Sequence, residues 1–104
     1  MQLAVETLHV ASSRSWGLEA HVVRQLVRSV TSAGANYEEA RHAESRADFV
    51  HKLAIAAKEM AESLYWFRLL TRMNIHHDMP RMSREADELV AILMASIKTA
   101  RKSV

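Results

Sequence analysis

Two Glu-x-x-His spacings, Glu6 with His9 and Glu39 with His42, are the first residues whose types could carry chemistry. A carboxylate and an imidazole one turn apart on a helix, twice over, hold the di-iron centres of some four-helix bundles. Such a centre also draws a glutamate from each remaining helix, and Glu59, Glu62, Glu85 and Glu88 would be available. The spacing defeats it: with a turn near residue 15, position 6 lies level with about position 25, so Glu39 falls ~20 Å further along the axis at ~1.5 Å per residue. His76-His77-Asp78 places three metal-ligating types in a row. Neighbours on a connecting turn are expected to point apart, so no metal and no other cofactor is assigned. Ser63 and Ser96 fall on helices, where a hydroxyl packs or bonds to its own backbone, and no motif sets either beside a histidine and an acid. The chain reads as a non-enzyme.

Binding is the chemistry that remains. Arg24 and Arg28 stand one turn apart, as do Arg68 and Arg72, and Lys98, Arg101 and Lys102 form a stripe with no acidic residue after Glu88. These seven are candidate contacts for the phosphates of RNA or DNA, and binding through them should weaken with salt. A net charge of +2 and a pI near 9.3 permit an anionic partner without requiring one. The competing reading is of solvated faces, with residues 98–102 answering the negative end of a helix and Arg68 paired to a nearby acid.

These residues need elements to hold them. The 104 residues suit one domain with one core, and two glycines with a single proline leave few places to turn. The apolar spacing predicts helices over about 2–13, 18–43, 45–73 and 83–102. Leu3, Ala4, Leu8 and Ala11 mark the first, and a stripe from Leu18 through Leu26 and Ala33 to Tyr37 and Ala40 marks the second. Ser45 followed by Asp48 signals the start of the third. Pro80 breaks the pattern before Ser83, Glu85 and Asp87 open the fourth. Long helices with short links predict an all-α, antiparallel up-and-down four-helix bundle. The absence of cysteine removes disulfides and thiolate zinc sites and suits a reducing cytoplasm. The first residues lack a basic start, and the longest apolar run, 89–95, is far short of the ~20 residues that span a bilayer, so no membrane role is expected.

Two segments exceed what a solitary bundle needs. Residues 64–70 and 89–95 put large apolar groups on nearly every side of their helices, which leaves Tyr65, Trp66, Ile92 and Met94 for a partner surface. Residues 29–37 crowd small side chains into a helix interior, with Gly34 costing ~1 kcal/mol relative to alanine. Ser29, Ser32, Gly34, Asn36 and Tyr37 are accordingly expected at a close approach, and Asn36 to fix register like a lone buried asparagine. Self-association is the expectation.

The residues then resemble a family, the four-helix-bundle proteins encoded in intervening sequences of 23S ribosomal RNA genes. The likeness is carried by residues 25–29, by Thr31-Ser32-Ala33-Gly34-Ala35-Asn36-Tyr37-Glu38-Glu39-Ala40, by 45–49, by Lys58-Glu59 with Leu64-Tyr65-Trp66, and by 95–100. It covers nearly the whole chain and implies a left-handed bundle and a ring-shaped homopentamer. It further implies kinship with the accessory factor of diversity-generating retroelements, a basic ring that works with a reverse transcriptase and nucleic acid. A nucleic-acid enzyme thus joins RNA and DNA as an expected partner. Against the pattern, the first helix is short, and Ser32-Ala33 stands where relatives carry serine and a branched aliphatic residue.

Overall fold

The computed structural model describes residues 2–102. Four helices occupy them: α1 (Gln2–Ser12), α2 (Ala20–Arg41), α3 (Arg46–Arg72) and α4 (Met79–Lys102), with no strand among the described residues. Ser45 caps α3 as its spacing predicts: its backbone is extended and its hydroxyl accepts the Asp48 N–H at 3.1 Å. At the other end Asn74 stops the helix at φ 55°, the left-handed region that asparagine tolerates better than most residues.

The starts of α2 and α4 differ from expectation. Pro80 does not precede α4 but sits in its first turn, where a missing N–H has no intrahelical acceptor to lose and the fixed φ suits the helix. The helix thereby gains Met79 and Met82, both buried. Leu18 lies outside α2, 99% exposed, in the connection that follows α1. In α1 the inward face is Leu3, Ala4 and Thr7, whereas Leu8 is exposed. Thr7 can go inward because its hydroxyl donates to the Leu3 carbonyl at 2.7 Å.

Cross-helix pairs fix the directions. Arg28 meets Glu59 and Glu62, Ser29 meets Ser63, and Glu39 meets Lys52, so rising numbers on α2 face falling numbers on α3. Arg68 with Asp87 sets α4 antiparallel to α3, and Glu6 with Arg81 ties α1 to α4. α3 lies between α2 and α4, and α1 rests chiefly on α2. The result is the expected up-and-down bundle, a rod of 48 × 19 × 19 Å around Leu26, Val30, Leu53, Phe67, Leu70 and Met82.

One disproportion governs the rest. With 11 residues α1 spans ~16 Å, whereas α2, α3 and α4 have 22, 27 and 24 residues and span twice that or more. Four helices therefore enclose one end of the rod and three the other. No helix among the described residues is long and apolar enough to cross a membrane.

Candidate functional site

Along α2 small residues serve the chain's own packing. Ser29 and Ser63 are fully buried and share a hydrogen bond of 2.7 Å between α2 and α3; whichever hydroxyl donates across, the other is free to donate to its own helix, Ser29 to the Leu26 carbonyl or Ser63 to the Glu59 carbonyl. Ser29 is thus a close-packing residue within the chain. The Asn36 amide donates to the Ser32 carbonyl at 3.0 Å, along its own helix. Gly34 is half-buried, and a Cβ built on it would meet nothing within 4 Å. Nothing in this chain uses the missing side chain.

At the open end Tyr37, Ile92 and Met94 face outward, 46, 59 and 54% exposed, and Tyr65, which follows Glu62 on α3 and lies toward the closed end, is 59% exposed. Trp66 is not among them: it is half-buried, its indole N–H donates to Glu62 at 3.1 Å, and its ring meets the edge of Tyr65. Ile92, Ala95, Ser96 and Thr99 line one groove of about 790 Å³ with Phe49 and Ser45. Val90, Met94 and Ile97 line another, of about 300 Å³, with Ala54, Ala57 and Ala61. Ile92 and Met94 lie ~200° apart around α4, so these are two different faces of one helix. The antiparallel register that sets Glu6 against Arg81 brings α1 no further along α4 than about residue 85, which leaves residues 92–100 beyond its reach.

The seven cations do not share a surface. Antiparallel packing puts Arg24, Arg28, Arg68 and Arg72 toward the end that α1 closes, and Lys98, Arg101 and Lys102 at the other. Arg28 is engaged internally by Glu62 and by Glu59 at 3.1 Å, and hydrogen bonds to these two carboxylates raise its pKa. The Glu62 carboxyl is in turn held below the ordinary glutamate value, first by the Trp66 indole and then by Arg28. Arg68 stands 3.8 Å from Asp87 with both side chains exposed, a weak pair. Arg24, Arg72, Lys98, Arg101 and Lys102 have no ion pair among the described residues.

Arg14 and Trp16, in the connection that follows α1, join Arg24. The Arg14 guanidinium lies 4.1 Å above the Trp16 ring, and the Trp16 indole donates to the Ala11 carbonyl at 2.9 Å, which fixes the ring at the head of a groove of about 680 Å³ that runs to Arg24 and Arg28. An arginine two positions from a tryptophan was the available signal. The two Glu-x-x-His pairs lie on separate elements, Glu6 on Arg81 and Glu39 on Lys52. The donor atoms of His76, His77 and Asp78, expected to diverge, instead lie within 4.8 Å of one another.

Comparison with known proteins bears on most of the chain. A family model described as 23S rRNA-intervening sequence protein matches residues 1–95. A crystal structure of a protein of unknown function from the S23 ribosomal protein family of Bacteroides thetaiotaomicron is similar at 34% identity, with 93% of each chain covered and a TM-score of 0.78. No curated protein matches.

Proposed function

Because the chain belongs to the 23S rRNA-intervening sequence protein family, we propose that it acts by assembly, as a non-enzymatic cytoplasmic bundle that joins copies of itself and offers the repeated surface to a partner. The observation that carries this reading is the pair of apolar grooves on opposite flanks of α4, with Ile92 59% and Met94 54% exposed. A single self-complementary patch joins two copies and stops. Two unlike patches join head to tail and continue until the rotation closes, which makes a ring the natural product. The family resemblance favours five subunits. Gly34 supports the same reading, since a helix interior that gives up ~1 kcal/mol for a side chain no neighbour excludes leaves room for a second backbone.

Mass measurement in solution tests it. The wild-type chain is expected as one discrete oligomer, and Ile92→Glu and Met94→Glu should each break it into smaller species of unchanged helicity, because a ring needs both faces. A monodisperse single copy at high concentration would end the proposal.

A second reading has its own observation. The groove of Arg14, Trp16 and Arg24 unites cations with an aromatic ring, the pairing that holds the phosphates and bases of single-stranded nucleic acid. Ring assembly would repeat it, together with Lys98, Arg101 and Lys102, into a multivalent polycation. Fluorescence anisotropy with single-stranded RNA should show affinity that falls with salt and drops in Arg24→Ala. Binding indifferent to salt would leave the purely structural ring.

A further inference from the structure

We infer that the connection between α3 and α4, together with the facing side of α1, forms a binding site for divalent zinc. Glu6 and His9 of α1 line one cavity of about 290 Å³ with His76, His77 and Asp78 of the connection, elements about 70 residues apart in sequence. The donor atoms of the last three already lie within 4.8 Å of one another. Ligands ~2.1 Å from a tetrahedral zinc stand ~3.4 Å apart, so the remaining movement is about an ångström or more. His77, the most exposed of the three, can supply it.

The Asp78 N–H donates to His76 Nδ1 at 3.1 Å, so a metal takes the His76 ring only in exchange for that backbone hydrogen bond. The two rings stack at 4.4 Å and 22°, so they are held side by side, and His77 Nε2 stands 3.6 Å from Asp78 Oδ2. His9 offers a third imidazole from across the cavity, and a water can complete the shell. Two or three nitrogens with one carboxylate favour zinc, nickel or copper over magnesium or calcium. Two features oppose the metal: Arg81 lies 3.9 Å from the Asp78 carboxylate, and the positive end of α4 begins at the next residue. Arg81 is itself countered by Glu6 and by Glu85 at 3.0 Å, which removes much of its opposition.

A metal held by His9 and the connection would staple α1 to the rest of the bundle. The test is titration of tag-free, chelator-treated protein with zinc chloride, followed by calorimetry and thermal melting. About one zinc per chain is expected, with Tm raised by about 5 °C at saturating metal and unmoved by magnesium. His77→Ala should weaken binding at least tenfold, His76→Ala with His77→Ala should remove it, and His9→Ala should abolish the gain in Tm while leaving weaker binding. No heat of zinc binding by the wild-type chain, or undiminished affinity in the double variant with its helicity intact, would overturn the inference. Oligomer mass is read separately, so either outcome leaves the assembly proposal standing or falling on its own measurement.

Discussion

The two ends of this rod are built from the same three helices and differ in one element. Where α1 covers the seam between α2 and α4, Phe67, Met79, Met82 and Ala86 are sealed at 0–1% exposure, and Glu6 closes the edge on Arg81. Beyond its reach α4 keeps a buried line through Leu93 and Ile97, yet Ile92 and Met94 on either side of it stay more than half exposed. Identical amphipathic logic thus yields a finished core at one end and an unfinished one at the other. At the open end α4 shows apolar side chains on both flanks of its buried line.

The largest effect that could break this contrast is a deletion in the sealed half. Phe67→Ala should cost ~3–5 kcal/mol in urea unfolding, because a fully buried ring leaves a cavity that the surrounding helices cannot collapse around. Ile92→Ala at the open end should cost the fold well under that, about 1 kcal/mol or less, and shift oligomer mass instead. Equal costs at both sites would mean the open face is a core in disguise.

Next in size is Ser63→Ala, at ~1 kcal/mol, since it removes the α2–α3 hydrogen bond and leaves the Ser29 hydroxyl only its longer bond, 3.2 Å, to Leu26. Gly34→Ala has the opposite sign. With nothing within 4 Å of its new methyl, the alanine should stabilise the isolated fold by ~0.5–1 kcal/mol while weakening assembly, and a variant that gains in both would show that no second backbone approaches there.

The smallest effect is in acid. Hydrogen bonds from Trp66 and then Arg28 depress the folded-state pKa of Glu62, so the stability it contributes is fully present above the unfolded glutamate value of ~4.3 and is lost as pH falls through the lower folded value. Acid unfolding followed by circular dichroism should therefore lose part of its steepness in Glu62→Gln, whose amide oxygen can still accept from the Trp66 indole. The side chain is 36% exposed and solvent screens it, so the change is modest.

Much of this was legible in the residue order. The apolar period gave four helices, Ser45 with Asp48 gave the start of α3, and short links gave antiparallel neighbours, because each signal is local and acts within a few turns. Pro80 was misread for the same reason: a proline stops a helix from inside and starts one from its first turn, and only the burial of Met79 and Met82 decides which. Tyr37, Tyr65, Ile92 and Met94 were recognisable as surplus, whereas Trp66 was not separable from them until Glu62 took its indole. Asn36 takes a local acceptor, the Ser32 carbonyl, which a helix offers and spacing alone does not weigh against a distant one.

What the sequence determined by itself is the helical architecture and its excess of apolar surface, both set by periodicities shorter than a helix. Only the tertiary structure decided which cations remain unpaired, that Arg14 stacks on Trp16, and that His9 shares a cavity with His76 and His77. Those facts depend on the level at which antiparallel helices meet, and that level is settled by side chains many residues apart competing for the same core.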